Sequence, residues 1–306
     1  YIKDLNFLDS KIDVMGGYSW QHYYREGDFI GYRISRFDAY GNPLLVSKSN
    51  YASEHYIVSF FGRLNYTIKD RYLLTFTVRD DGSSRFSKEN RWAVFPSAAF
   101  AYKMNKDLFP KSKTINDLKL RVGWGITGQQ DINQGDYPYL GTYEQSIGNE
   151  ASYLRGYNNG IPIWVSLLRP AAYNPDLKWE STETYNAGID FAILKNRIEG
   201  SVDVYQRKTK DLINAETKVP AGTNFREYVA ANIGSLENKG IEFSLNTKPI
   251  VSKDFTWEIG GNIAYNENKI TSLTYGDNAQ SMRRYGMNVH KVGFSAGMYY
   301  VYEQIY

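Results

Sequence analysis

The chain has 306 residues, of which 42% are hydrophobic and 23% charged, and its formal net charge is +3. The near balance of acids and bases argues against a nucleic-acid partner, which usually requires a clustered basic excess. Because there is no cysteine and only three histidines, spread along the chain, cysteine-based metal sites are excluded and a histidine-rich centre is disfavoured. We therefore expect no metal, no cofactor and no catalytic residue.

The aromatic content is high, at 16% with 27 tyrosines, whereas the mean hydropathy is only −0.51. No apolar run approaches the ~20 residues that a membrane-spanning helix needs. Two classes of β-protein fit this composition. One is a soluble sandwich or propeller, and the other is a transmembrane barrel, whose polar lumen face keeps the mean hydropathy low.

Apolar and polar residues alternate with a period of two along much of the chain, which predicts β-strands rather than helices. In Asp117–Thr127, for example, Val122 shares a face with Leu120 and Trp124, while Arg121 lies on the opposite face. In chain order, the predicted strands are Lys11–Tyr23, His55–Ile68, Arg71–Arg79, Trp92–Tyr102, Asp117–Thr127, Thr184–Ile193, Arg197–Arg207, Gly240–Thr247 and Phe255–Asn266. Many of them are near the ~9–11 residues with which a tilted strand crosses a bilayer.

The predicted connections sort by length. The short ones are Lys69-Asp70, Leu194–Asn196 and Lys248–Asp254, and the long ones are Asp80–Arg91, Gly128–Ser181, Lys208–Ala230 and Glu267–Gly297. Lys103–Asn116 is of moderate length, with room for one short helix. Because short and long connections fall on opposite sides of the sheet, the pattern favours an outer-membrane barrel with short periplasmic turns and long extracellular loops.

Aromatic residues of the apolar face predict two girdles at the membrane interfaces. Beside the short turns lie Tyr66, Tyr72, Tyr102 and Trp257, and toward the other strand ends lie Trp92, Trp124 and Tyr265. About nine strands would leave two bare edges, which lipid does not tolerate. We therefore expect the remaining strands to lie outside this sequence or in another chain.

Local motifs predict turns and close contacts. Asp80-Asp81-Gly82 is expected to form a turn with positive φ at a strand end, and Asn174-Pro175-Asp176 a turn that closes the longest loop. Arg79 and Arg85 are expected to form an ion-pair cluster with the two aspartates at the barrel rim. Three glycines are expected at bulges or points of close packing: Gly188, Gly234 and Gly240.

Several stretches, in this order, closely resemble the SusC/RagA-type TonB-dependent transporters of the Bacteroidota outer membrane. They include Phe61-Gly-Arg-Leu-Asn-Tyr66, Arg79-Asp-Asp-Gly-Ser-Ser-Arg-Phe86, Asn174-Pro-Asp-Leu-Lys-Trp-Glu180, Asn186-Ala-Gly-Ile-Asp190 and Asn238-Lys-Gly-Ile-Glu242. The motifs lie between about residues 59 and 270. Any one of them would be a weak signal, but their joint order is specific.

The resemblance implies that residues 1–306 are the central part of an antiparallel transmembrane β-barrel of 22 strands, with the N-terminal plug domain absent from this sequence. It implies the barrel wall of an outer-membrane importer rather than an enzyme. The implied partners are a SusD-like surface lipoprotein, TonB through the missing N-terminal region, outer-membrane lipid, and a glycan or peptide as the imported ligand.

Ligand contact is expected in the loop Gly128–Ser181, because aromatic faces suit sugar rings and peptide side chains. The candidate residues are Tyr137, Tyr139, Tyr143, Tyr153, Tyr157 and Trp164. Packing of these rings within the loop is the alternative for each of them. Two other functions stay open at this point: a soluble all-β glycan-active enzyme, which would carry charge on its exposed strand faces, and a structural or adhesive outer-membrane barrel.

Overall fold

The protein was analysed as a computed structural model, which describes residues 1–31, 47–131, 135–145, 152–166, 168–218, 228–273, 282–285 and 287–299. Parts of the predicted loops Gly128–Ser181, Lys208–Ala230 and Glu267–Gly297 therefore lie outside the described residues. Within these ranges, no helix has the length and apolar character needed to cross a membrane.

The first half of the chain forms long strands joined in sequence. These are β1 (Ile2–Leu5), β2 (Ser10–Gly31), β3 (Ser47–Ile68), β4 (Tyr72–Ser83), β5 (Trp92–Lys103) and β6 (Ile115–Gln129). A 3₁₀ turn, Phe7–Asp9, separates β1 from β2, and one short helix, α1 (Asn105–Leu108), lies between β5 and β6. The helix confirms the prediction for the Lys103–Asn116 connection.

The second half alternates long strands with short strand pairs in the loops. The strands are β7 (Tyr143–Gln145), β8 (Ser152–Asn158), β9 (Ile161–Ser166), β10 (Leu168–Pro170), β11 (Glu180–Ile193), β12 (Ile198–Lys210), β13 (Ile213–Lys218), β14 (Tyr228–Asn232), β15 (Ser235–Val251), β16 (Thr256–Ser272), β17 (Met282–Tyr285), β18 (Asn288–Lys291) and β19 (Met298–Tyr299).

One ten-stranded sheet runs in the order β1-β2-β3-β4-β5-β6-β11-β12-β15-β16, and every neighbouring pair is antiparallel. All nine predicted strands are present, and short β1 is the one that the periodicity did not indicate. The remaining strands pair among themselves within the long connections, as β7 with β10, β8 with β9, β13 with β14, and β17 with β18 and β19. The sheet is thus a meander that follows the chain.

Register places the two predicted faces on opposite sides of this sheet. One apolar row crosses nine strands by direct pairing and contains Ile12, Tyr66, Leu74, Phe100, Val122, Ala187, Val204, Ile241 and Tyr265. Val122 is 46% exposed and Tyr265 66% exposed. A continuous, exposed apolar face of this size requires a lipid or protein neighbour, because soluble monomers rarely expose more than a few hundred Å² of contiguous apolar surface.

The short connections all lie at one end of the sheet and the long ones at the other, as predicted. Lys69 and Asp70 have positive φ values of 49° and 51°, and Leu194, Lys195 and Asn196 have values of 55°, 59° and 60°. The carboxamide oxygen of Asn116 accepts hydrogen bonds from the backbone N–H groups of Lys195 at 2.7 Å and Asn196 at 3.4 Å. That side chain stabilises a turn whose backbone conformation is unfavourable for residues with a Cβ.

The β2–β3 hairpin is longer than predicted. Each strand has 22 residues, and their pairing continues from Ser10↔Ile68 to Gly31↔Ser47. The next strand, β4, pairs with β3 only as far as Ile57↔Ser83. Residues 47–56 and their partners on β2 therefore extend beyond the rest of the wall on the long-loop side.

One of the turn predictions is wrong, whereas the predicted Asn174 turn and the three glycine predictions are confirmed. Asp80-Asp81-Gly82 is not a turn with positive φ, because β4 continues through Ser83 and Gly82 pairs with Trp92. Asn174 does form the predicted turn, since its Oδ1 accepts a hydrogen bond from the Asp176 backbone N–H at 3.0 Å. Gly188 marks close packing, because a Cβ there would lie 2.2 Å from a carboxylate oxygen of Asp203. The predictions for the other two glycines are also confirmed. Gly240 packs closely against the Tyr205 ring, and Gly234 has a φ of +96°.

A hydrophobic cluster lies at the long-loop end, where three connections meet. Its buried members are Phe86, Leu177, Trp179 and Ala230, with Ala93, Phe95 and Ile213 packed against them. The Trp179 indole N–H also donates a hydrogen bond to the Arg91 carbonyl at 2.9 Å. The cluster fixes the β4–β5 loop and the segment before β11 onto the polar side of the sheet, since Phe95 shares the face of Arg79.

Candidate functional site

The polar face carries a charge network across three adjacent strands. Arg121 on β6 donates hydrogen bonds to Asp190 on β11 at 2.6–3.0 Å and to Asp203 on β12 at 2.9 Å. Lys119 adds a further ion pair to Asp190 at 2.8 Å. Gly188 makes room for this network, because a side chain there would collide with Asp203 and Arg121. The arrangement suits a solvated lumen, where polar groups are tolerated.

A wide cavity of about 760 Å³ opens on this face toward the short turns. Its lining includes Asn116, Asp117, Asp190, Glu199 and Asn246. The carboxylates make this end of the polar face acidic. This lining is more polar than apolar, so it does not have the usual character of a small-molecule site, which is mostly apolar.

The more enclosed arrangement lies at the long-loop end and joins three chain segments. Arg85, from the β4–β5 loop, contacts Asp136 at 3.0 Å and Asp131 at 3.2 Å in the segment after β6. The Asp136 carboxylate also lies 3.1 Å from Nδ1 of His55 on β3. The side chains of His55, Arg85 and Asp136 are only 13%, 14% and 7% exposed. We call His55, Arg85, Asp131 and Asp136 the mouth cluster.

The mouth cluster corrects the predicted ion-pair arrangement at the rim. Arg79 does pair with Asp81, at 2.6 Å, and donates a hydrogen bond to Ser59 at 2.8 Å. Arg85, however, turns away from both aspartates of β4 and binds the carboxylates of the distant segment instead. One Asp80 carboxylate oxygen is buried and has no hydrogen-bond partner among the described residues. Asp80 does not join the arginines because it pairs across the sheet with Phe60 and Val94, and its side chain therefore lies on the apolar face.

A cavity of about 430 Å³ borders the mouth cluster, with Tyr23 of β2 in its lining. The Tyr23 ring stacks on the His55 imidazole, with centroids 4.7 Å apart and planes inclined by 9°. An aromatic ring, a guanidinium and two carboxylates thus converge on one concave surface. Such a set can stack on a flat ligand face while donating and accepting hydrogen bonds.

Burial and a neighbouring cation disfavour the protonated form of the histidine in the mouth cluster. Burial among the loops, followed by the nearby Arg85 guanidinium, lowers the pKa of His55 below its ordinary value of 6.5, and the Asp136 carboxylate opposes this shift without reversing it. His55 lies in the part of β3 that extends beyond β4. Neutral imidazole both donates and accepts hydrogen bonds, which suits contact with uncharged polar groups.

The six aromatic residues expected to contact ligand lie on different elements of the long connection between β6 and β11. Tyr137 and Tyr139 lie next to the mouth cluster along the chain, with ring centroids 6.3 Å apart. Tyr143, on β7, is 71% exposed, and Tyr153 and Tyr157, on β8, are 50% and 68% exposed. The backbone of Trp164 pairs with Leu154 across β8–β9, whereas its side chain lies outside the described residues. Tyr137 directly follows Asp136 of the mouth cluster in the sequence.

Sequence reasoning missed His55, Asp131 and Asp136 as a site. Arg85 was visible within the Asp-Gly-Ser-Ser-Arg-Phe86 motif, but nothing in the residue spacing indicated its partners. The available signal was a histidine at the start of one predicted strand and two aspartates in the loop that follows another, which becomes meaningful only once the strand order is known.

Fold and polar face together define a segment of an antiparallel transmembrane β-barrel wall. The family model described as "TonB dependent receptor-like, beta-barrel" matches residues 3–304. The chain therefore belongs to the TonB-dependent receptor β-barrel family. Its relatives are receptors and transporters, which agrees with the expectation that the protein is not an enzyme.

Individual relatives support the same assignment. The chain is 47% identical over its full length to the TonB-dependent receptor SusC of Bacteroides thetaiotaomicron, and covers 31% of that protein. It is 37% identical to TonB-dependent receptor P3 of Formosa agariphila, over 89% of this chain and 27% of the relative. Among solved structures, the RagAB peptide transporter matches with a TM-score of 0.77 and 25% identity, over 96% of this chain and 31% of that one. The chain thus spans about a third of the length of these relatives.

Proposed function

We propose that residues 1–306 are one continuous stretch of the barrel wall of a TonB-dependent importer in the outer membrane of a Bacteroidota-type bacterium. The observation that carries the proposal is the 47% identity to SusC over the whole chain. The continuous apolar face and the charged opposite face are the physical requirements of such a wall. A soluble β-enzyme would not leave a nine-strand apolar row exposed.

The imported ligand is proposed to be a glycan or a peptide, bound at the extracellular mouth beneath a SusD-like lipoprotein, with TonB acting from the periplasmic side. The mouth cluster and Tyr23 supply the ligand chemistry, because hydroxyl-rich and amide-rich ligands both need convergent donors and acceptors beside an aromatic face. Tyr137 and Tyr139 border the same region and are proposed as further contacts.

Uptake by cells that produce the full-length protein tests this proposal. Fluorescently labelled oligosaccharide and oligopeptide pools are offered to the wild type, to a strain lacking TonB, and to a Tyr23→Ala variant. We expect one pool to accumulate only when TonB is present, and to accumulate at least fivefold less in Tyr23→Ala.

Arg63→Ala is the control for that variant, because it truncates a polar-face side chain of β3 that donates a hydrogen bond to Thr77 and does not line the cavity beside the mouth cluster. TonB-independent accumulation of both pools would contradict the importer assignment. Normal uptake by Tyr23→Ala, with TonB dependence intact, would contradict the ligand site alone.

A further inference from the structure

The apolar face does not stop where the other strands of the wall end, but continues up the β2–β3 hairpin. Trp20, Val58, Gly82 and Trp92 pair in one row and mark the upper level of the wall. Tyr66 lies three residues before Lys69, beside the short turn between β3 and β4. At about 3.4 Å per residue and a tilt of about 40°, the ten steps from Tyr66 to Tyr56 rise about 26 Å, close to the ~25 Å apolar band of such barrels.

Residues on the same face that lie beyond the row of Trp20 and Val58 are therefore above the hydrocarbon core of the membrane. They alternate with inward-facing Tyr23 and His55, and we call them the outward strip: His22, Tyr24, Glu26, Glu54 and Tyr56. The backbone of Tyr56 exchanges hydrogen bonds with Ser84 of the β4–β5 loop, and strand alternation places the outward strip on the face opposite Tyr23 and His55.

Hydrogen bonds and stacking fix the side chains of the outward strip. The His22 and Tyr56 rings stack with centroids 4.4 Å apart and planes inclined by 7°. The Glu54 carboxylate lies 3.0 Å from His22 Nε2 and accepts a hydrogen bond from the Tyr56 hydroxyl at 3.2 Å. The Tyr24 hydroxyl donates to Glu26 at 2.8 Å, and Tyr24 remains 58% exposed. The strip is thus ordered before it meets a neighbour.

We propose that the outward strip binds the saccharide part of the glycolipid in the outer leaflet of the outer membrane. The argument is continuity: the strip extends the lipid-facing surface to the height of the lipid head groups. Exposed aromatic faces pack against the C–H faces of sugar rings, and carboxylate oxygens accept hydrogen bonds from hydroxyls. The two glutamates favour a hydroxylated sugar over a lipid phosphate, because like charges repel.

Native mass spectrometry of the full-length protein tests the proposal. The protein is reconstituted with rough lipopolysaccharide, which carries core sugars, or with lipid A, which lacks them, and retained glycolipids are counted. The variants are Tyr24→Ala and its control Tyr51→Ala, which removes an exposed tyrosine on the opposite face of the same hairpin. Folding of each variant is checked by the migration of unheated and heated samples on a gel.

We expect the wild type to retain rough lipopolysaccharide at least fivefold better than lipid A, Tyr24→Ala to lose this preference, and Tyr51→Ala to keep it. Glu54→Gln provides a second variant if Tyr24→Ala does not fold, and is expected to weaken the preference at least twofold. Equal retention of both glycolipids would overturn the proposal, as would release of both by a chelator of divalent cations. A dimer that Tyr24→Ala dissociates would assign the strip to a second copy instead and also overturn it.

Discussion

The rings of Phe86 and Trp179 lie with centroids 5.3 Å apart and planes inclined by 45°, although one belongs to the β4–β5 loop and the other to the segment before β11. Phe86 is completely buried and Trp179 only 8% exposed. Two separate motifs of the sequence thus meet in one contact. Their shared role is to hold two of the long connections against the polar side of the wall, within reach of the mouth cluster.

Loss of this contact is expected to release the loops while the wall stays folded. Phe86→Ala removes a fully buried ring, a change that costs about 3–5 kcal/mol in local stability. Limited proteolysis of the full-length protein should then cut at residues 84–91 much faster than in the wild type, while the folded barrel still migrates normally on an unheated gel.

Tyr157→Ala serves as the control for that experiment, since Tyr157 is 68% exposed and its truncation leaves no cavity. Loss of the folded barrel band in Phe86→Ala would show that the cluster supports the wall itself.

The assignment of the two faces is tested by neighbouring residues. Val122 points away from the charge network of Arg121, and a lipid-facing arginine near the middle of the membrane costs about 2–4 kcal/mol. Val122→Arg is therefore expected to reduce the folded barrel in the outer membrane, measured by heat-modifiable migration. Arg121→Gln should assemble nearly normally, because Lys119 still pairs with Asp190 and the polar face is solvated.

The opposite pattern, with Val122→Arg assembling and Arg121→Gln failing, would mean that inside and outside are reversed. A one-residue register shift would produce that result, because the side-chain period of a strand is two.

The turn at residues 194–197 should depend on Asn116. Asn116→Leu removes the acceptor of two backbone N–H groups in a turn with three consecutive positive φ values, and we expect a loss of about 1–3 kcal/mol. The midpoint of urea unfolding in lipid vesicles measures this change. Asn116→Asp keeps an oxygen acceptor and should lose less than half as much, so equal losses in both variants would argue against capping.

The histidine of the mouth cluster should titrate below the ordinary range. Because burial and Arg85 lower the pKa of His55 in the folded protein, protonation favours the detached loop over the packed one. This contribution to stability is complete above about pH 6.5 and decreases as the pH falls toward the lowered pKa of His55.

Imidazole resonances of the full-length protein, assigned by difference with His55→Gln, measure the titration directly. A pKa of His55 above 6.5 would show that the attraction of Asp136 outweighs burial.

Much of the wall could be predicted from the sequence. The nine long strands, their faces and the short-turn side follow from a period-two pattern, which is a local property of the chain. Val122 and Arg121 illustrate this, since neighbouring residues of one strand must point to opposite faces. The sequence also predicted the Asn174 turn, because an asparagine before proline forms such turns with its own neighbours.

Only the tertiary structure decided which distant groups meet. Arg85 has two aspartates within five residues on its N-terminal side, yet it pairs with Asp136, because β4 continues past those aspartates and alternation turns Asp80 to the other face. The length of β2 and β3 could not be predicted from the sequence either. The upper part of this hairpin depends on pairing between β2 and β3 themselves, and not on pairing with another strand of the described wall. The alternation of faces along a strand is determined by neighbouring residues, whereas contacts between loops depend on which strands lie side by side in the sheet.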